Sequence, residues 1–175
     1  MDNTLFKTDR LTIREADDGT EKRAAAVNNE DLSAETLFST IQDEAVAEAI
    51  KDTEAVLAFV RSLVASRDST DKKRFSAWDR TGDLVAYAGA TSWSTGAPEL
   101  QITVMPEFQG QGYATEFLSA LIPWAFQNYD LDHFIYRHLV DNVRSGRLVA
   151  KLGGVLQEPN SPIEGLTSKT YFIYR

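Results

Sequence analysis

The stretch "MPEFQGQGYATEF", Met105 to Phe117, follows directly on an apolar segment, "LQITV", and sets a proline, two closely spaced glycines and a helix-forming run in succession. Pro106 has no backbone N–H to give a sheet ladder, so it marks where the strand stops pairing. Gly110 and Gly112 can take positive φ and leave no side chain between the backbone and a guest. Phe117, Leu118, Leu121, Ile122 and Ala125 recur at helical spacing, which predicts a helix from Tyr113 to Asn128, kinked or loosened by Pro123. The helix start supplies N–H groups without partners and about half a positive charge. A phosphate or pyrophosphate is the expected guest, and a plain tight turn is the alternative.

Outward from this point the chain reads as a mixed α/β domain. "RLTIREA" (Arg10–Ala16) alternates apolar and polar residues as a half-buried strand does. From Asp17 to Ala49 two or three short helices are expected, broken by a loop from Asn28 to Ser33, and a further helix from Thr53 to Arg67. "KKRFSAWDR" and "LVAYAGATSW" flank the turn "TGD" and predict an antiparallel hairpin, followed by the strand "ELQITVM". After the Tyr113 helix come a strand at "HFIYRHLV", a helix from Arg144 to Leu152 ended by Gly153 and Gly154, and two strands, "VLQEP" and "TYFIYR", separated by "NSPIEG". The central sheet is expected to be largely antiparallel, with a parallel pair around the Tyr113 helix.

Composition narrows the function classes. The 175 residues suit one domain spanning 1–175, and no repeat or low-complexity tract interrupts it. There is no cysteine, which excludes disulfides, thiolate metal sites and a cysteine nucleophile; two histidines and scattered carboxylates give no metal-ligand spacing. A net charge of −8 opposes nucleic-acid or anionic-membrane partners and is compatible with a cationic one. The polar, acidic start and the lack of a long apolar run lead to an expected cytoplasmic location.

Among nucleotide loops, the P-loop fails because no Gly-Lys-Ser/Thr occurs, and the dinucleotide fingerprint meets Thr115 where its third glycine should stand. "QGQGYA" (Gln109–Ala114) instead resembles the Gln/Arg-x-x-Gly-x-Gly/Ala signature of the GNAT superfamily of N-acyltransferases. Three further segments resemble that family in order: "TDRLTIREA" its first strand, "PELQITVMPEFQGQGYATEF" its fourth strand, loop and third helix, and "DNVRSGRLVAKLGG" its Asn-x-x-Ser block. Only Asp17 to Lys51 matches poorly. "YATEF" and "NVRSGRLVAKLG" resemble most the Rim-type branch, which is similar to ribosomal-protein N-terminal acetyltransferases and includes many proteins of undefined substrate.

The resemblance implies a GNAT fold, with a mostly antiparallel twisted sheet of about six or seven strands, helices on both faces and a splayed parallel pair at the cofactor site. It implies acetyl-CoA as co-substrate, with its pyrophosphate held by the backbone of Gln109, Gly110, Gln111, Gly112, Tyr113, Ala114 and Thr115. Backbone N–H groups near Thr103 and Val104 would polarise the thioester. Asn142 matches the asparagine that touches the pantetheine arm, with a helix cap as the alternative. Ser145 matches a serine placed near the sulfur as a donor to the thiolate. Many relatives use a tyrosine four positions further as the acid, and here that position is Val149. Arg144, Arg147 and Lys151 share a helix face and could reach the 3′-phosphate, or form a solvated surface. Gly154 stands where the family has phenylalanine. Glu99 aligns with a frequent family glutamate and could relay a proton through water as general base, and Glu107 is a second candidate, with surface carboxylates as the alternative for both; His138 is a third with a structural role as its alternative, and His133 is expected to be structural only.

At pH 7 an α-amine with a pKa near 7.7 is neutral roughly a sixth of the time, against about 0.04% for a lysine-type amine. That difference and the branch resemblance favour a protein or peptide N-terminal α-amine as acceptor, attacking the thioester directly in a ternary complex. A small amine such as an antibiotic or polyamine, a non-catalytic acyl-CoA-binding module and a dinucleotide-dependent oxidoreductase are the rivals. A homodimer is left open.

Overall fold

The computed structural model describes residues 3–31, 71–157, 162–163 and 166–175. Its strands are β1 (Thr4–Lys7), β2 (Thr12–Glu15), β3 (Lys72–Trp78), β4 (Leu84–Thr91), β5 (Glu99–Val104), β6 (His133–Leu139), β7 (Val155–Leu156), β8 (Pro162–Ile163) and β9 (Leu166–Tyr174). Its helices are α1 (Asp18–Asp31), α2 (Tyr113–Asn128) and α3 (Val143–Lys151). The sheet runs β1-β2-β3-β4-β5-β6-β9-β7, and β8 pairs with β9. Every pairing is antiparallel except β5 with β6, as expected.

A bulge in β4, where Trp78 pairs with Leu84 but Ala77 with Ala86, separates the residues of two clusters. Ala86, Ala88 and Ala90 are fully buried in the main core with Phe117, Leu118, Leu121 and Ala125 of α2; small side chains on the strand leave room for large ones on the helix. Leu84 and Tyr87 belong to a second cluster with Ala24 and Val27 of α1 and with Met105. Helices therefore cover both faces. The β5–β6 pairing is confined to one registered pair, Glu99 with Ile135, next to an Ile135 N–H bond to the Pro98 carbonyl of 2.9 Å. Beyond that point the two parallel strands form no ladder, while β6 continues along β9 from His133–Tyr174 to Leu139–Ser168.

Three differences from the sequence expectation have local causes. β1 extends the sheet at its edge, pinned by Phe6, whose ring centroid lies 5.5 Å from that of Trp124 in α2. β8 adds a short hairpin partner for β9. α1 starts at the Asp17 cap, whose side chain accepts the Thr20 N–H at 2.8 Å, and continues through Asn28 to Asp31, where a loop was expected; asparagine in a helix costs only a few tenths of a kcal/mol, about 0.5. The short helices expected beyond residue 31, the helix from Thr53 to Arg67 and most of "NSPIEG" lie outside the described residues. α2 passes through Pro123 without ending, and its last turn is closed by the Tyr129 N–H to the Ala125 carbonyl at 2.9 Å.

Candidate active site

The parting of β5 from β6 leaves one edge of β5 facing an opening, and strand alternation decides which groups line it. The Met105 N–H donates to the Val85 carbonyl of β4 at 2.9 Å, and Thr103 stands opposite Tyr87 of the same strand. Backbone groups on a strand point alternately to its two sides. Thr103 therefore turns its backbone to β4, whereas Val104 turns away, its carbonyl accepting from Gln109 Nε2 at 3.2 Å. Of the two residues expected to supply a polarising N–H, Val104 is the one on the open edge.

The loop after β5 is built for a backbone guest. Pro106–Phe108 form a single 3-10 turn, Gln111 Nε2 donates to the Glu107 carbonyl at 2.9 Å, and Gly110 and Gly112 take φ of 75° and 82°. A Cβ built on Gly110 would meet nothing within 4 Å. The first intrahelical bond of α2 runs from the Glu116 N–H to the Gly112 carbonyl at 3.1 Å, and no side chain caps the helix. The amides of Tyr113, Ala114 and Thr115 precede that bond. An uncapped helix start beside two glycines of positive φ fits a pyrophosphate.

Arg10, which sequence reasoning assigned only to a strand, braces this cradle. Its Nε lies 2.6 Å from Glu116 Oε2, its Nη1 donates to the Gln111 carbonyl at 3.2 Å, and its guanidinium sits 4.1 Å from the Tyr113 ring centroid. Burial opposes ionisation of Glu116, but hydrogen bonds from Thr8 and from the Arg10 backbone and side chain outweigh it and hold the carboxyl below its ordinary value. A negative charge at the helix start would otherwise repel an anion; Arg10 neutralises it.

α3 closes the opposite wall. Asn142 Oδ1 accepts the Ser145 N–H at 3.0 Å, so the asparagine is a helix cap. Arg144 Nη1 donates to Gln109 Oε1 at 3.3 Å, which ties the helix start to the loop. Ser145 Oγ lies 3.4 Å from the hydroxyl of Tyr136, a buried β6 residue. Arg147 and Lys151 are exposed. Val149 is fully buried, and a Cβ on Gly154 would come within 2.5 Å of Val149 Cγ2 and 3.0 Å of its carbonyl oxygen. Glycine at 154 is thus dictated by the packing of α3 against β9.

The candidate bases stand apart from this wall. Glu99 opens β5, about 16 Å from Val104 at roughly 3.3 Å per residue, and pairs with Arg137 at 3.6 Å. Glu107 is exposed beside the loop. His138 is buried and stacked on Tyr171; its Nδ1 donates to the Leu139 carbonyl at 2.7 Å, and its Nε2 has no hydrogen-bond partner. His133 packs on the rings of Phe172 and Tyr174. Among the described residues no group of His, Asp and Glu is arranged to hold a metal, and no helix is long and apolar enough to cross a membrane.

Residues 10–155 match the family model for an acetyltransferase (GNAT) domain. A comparison with curated protein sequences gave no match. Among solved structures, the chain is similar to spermidine N-acetyltransferase from Vibrio cholerae in complex with CoA and spermine, with 17% identity, 95% of this chain and 96% of that chain covered, and a TM-score of 0.64. It is also similar to the dodecameric structure of spermidine N-acetyltransferase from Vibrio cholerae in an intermediate state, with 18% identity, 95% of each chain covered and a TM-score of 0.64. At these identities the likeness is one of fold.

Proposed function

The chain belongs to the acetyltransferase (GNAT) domain family, and from that premise we propose that it transfers the acetyl group of acetyl-CoA to a primary amine of a small polycationic acceptor, of the polyamine kind, in the cytoplasm. The observation that carries the reading is the parting of β5 from β6 beside the uncapped start of α2. The acceptor class has separate support. The fold neighbours reported above are spermidine acetyltransferases, the chain carries −8 overall, and the sequence after α1 is acidic, with Glu35, Asp43, Glu44 and Glu48 ahead of Lys51. Negative potential raises the encounter rate of a polycation. The Rim-type branch, and with it a protein N-terminal α-amine, has no support among these neighbours.

Acetyl-CoA supplies the activated thioester. Backbone N–H groups from Gln111 to Thr115 hold its pyrophosphate, with Gln109 and Arg144 fixing the loop and Arg147 available to the outer phosphate. The Val104 N–H, on the open edge of β5, polarises the acetyl carbonyl. Asn142 fixes the first turn of α3, so that Ser145 Oγ faces the departing sulfur. A lysine-like amine is neutral only about 0.04% of the time at pH 7, so proton removal needs help. Glu99 stands about 16 Å along β5 from Val104, too far for one bridging water, so that proton reaches it only along a chain of several waters. Self-association into an oligomer belongs to the same reading, on the likeness to a dodecameric neighbour.

Thiol release from acetyl-CoA in the presence of spermidine, spermine, an aminoglycoside and short peptides tests the reading. Release with the polyamines is expected. Release with peptides alone would transfer the acceptor to protein N-termini. Coenzyme A binding without release from any amine would favour the second reading, a non-catalytic binding module, which the absence of a hydroxyl at Val149 motivates.

A further inference from the structure

The family position for a helix-borne tyrosine acid is filled here by Val149, fully buried and without a hydroxyl. A tyrosine nevertheless reaches the same helix, one turn earlier. Tyr136 lies on the face of β6 that also carries Phe134 and His138, and its hydroxyl stops 3.4 Å from Ser145 Oγ. Only 3% of the residue is exposed, and its ring sits within the main hydrophobic core. A phenol buried this deeply needs a hydrogen-bond partner, and Ser145 is the partner it has. Burial raises the pKa of the phenol against the opposing effect of the Ser145 contact, so it remains O–H at neutral pH and serves as a donor.

A serine hydroxyl carries one hydrogen and two acceptor pairs. If Ser145 donated to Tyr136, no serine hydrogen would remain for a leaving group. If Tyr136 donates, the serine hydrogen is free to point into the opening between β5 and β6. The serine backbone is already fixed by Asn142, so the direction of that one hydrogen is what Tyr136 decides.

Resting on the acetyl-transfer reading, we propose that Tyr136 is the positioning residue for Ser145: it donates to Oγ and so aims the serine hydrogen at the sulfur of coenzyme A. The amine nitrogen bonds to the acetyl carbon, the carbon–sulfur bond breaks, and its electron pair stays on sulfur. Ser145 hydrogen-bonds to that thiolate, and the proton lost by the amine reaches the sulfur through solvent. Tyr136 and Ser145 both stay protonated. The 3.4 Å contact shortens toward the ordinary hydroxyl distance of about 2.8 Å when the thiolate polarises the serine.

The test compares the affinities of coenzyme A and desulfo-coenzyme A, which lacks the sulfur, from about pH 7 to 10 by calorimetry. In the wild type the ratio should rise about tenfold as the bound thiol ionises, because a hydrogen bond to a charged group is worth about 1.5–3 kcal/mol. Tyr136→Phe, which keeps the ring in the core, and Ser145→Ala should both flatten the rise. In turnover, Tyr136→Phe should lower kcat about fivefold with the KM for acetyl-CoA unchanged, and the double variant should be no slower than Ser145→Ala alone. A flat ratio in the wild type, a full rise in Tyr136→Phe, or additive losses in the double variant would overturn the proposal. Binding that follows the expected pattern without acetyl transfer would sustain the Tyr136 assignment while removing the enzyme reading. No coenzyme A binding at all would remove both.

Discussion

Arg10 and Glu116 form an ion pair of 2.6 Å across 106 positions of sequence, joining the turn before β2 to the first turn of α2. The same guanidinium holds the Gln111 carbonyl. One side chain thus fixes both the charge and the shape of the glycine cradle.

Arg10→Met should leave Glu116 as an uncompensated anion at the helix start and weaken coenzyme A binding by about 1–2 kcal/mol, roughly five- to thirtyfold. Arg10→Met combined with Glu116→Gln should recover part of that loss, since the repelling charge is gone. Calorimetric titration of the two variants distinguishes this from a loss of phosphate contact by Arg10 itself, for which the second substitution would recover nothing.

The carboxyls of Glu116 and Glu21 are both held below their ordinary values. Burial opposes this in each; for Glu116 it is outweighed by bonds from Thr8 and Arg10, and for Glu21 by Lys72 and Arg74. A carboxyl depressed in the folded state contributes stability that is fully present above its unfolded pKa and is lost as pH falls through the folded one. Melting temperature should therefore decline below about pH 4.5, the region where unfolded glutamates titrate. Glu116→Gln should make the acid limb shallower, and an unchanged limb would detach that ion pair from stability.

Much of this site could be read from local sequence. Pro106, the two loop glycines and the helical spacing after them are short-range signals, and they located β5, the cradle and α2. The choice of Val104 over Thr103 depends on pairing with β4, which the segment "LQITV" does not contain. Arg10 and Glu116 have no sequence spacing that joins them, so the brace emerged only from the fold. Tyr136 read as one strand residue among several, because its importance comes from which helix turn lies above it. β1 escaped notice because four residues carry too little pattern, and Phe6 holds it through a tertiary contact with Trp124.

Gly112→Trp should abolish thermal stabilisation by coenzyme A. The residue holds φ at 82°, where a side chain costs about 1–2 kcal/mol, and the indole would occupy the cradle. Gly112→Ala controls for backbone strain: it should lower the melting temperature by a similar amount yet keep measurable binding. Equal binding by the tryptophan variant and the wild type would move the phosphate site elsewhere.

Gly154→Phe restores the family's usual residue and should nevertheless destabilise the protein by about 2–3 kcal/mol, a typical overpacking cost. Its Cβ would lie 2.5 Å from Val149 Cγ2, beside the Val149 carbonyl. Gly154→Phe with Val149→Ala should recover part of the stability, since only the side-chain clash is relieved. Chemical denaturation of the three proteins measures this directly.

The central claim, acetyl transfer to a small polycationic amine, is tested most directly by competition in one vessel. Equimolar spermidine and a peptide with a free N-terminal amine are mixed with limiting acetyl-CoA and the protein, and both acceptors are then weighed by mass spectrometry. The expected result is acetylated spermidine and an unmodified peptide. An acetylated peptide beside unmodified spermidine would contradict the acceptor assignment, and no acetyl group on either would contradict the transfer itself.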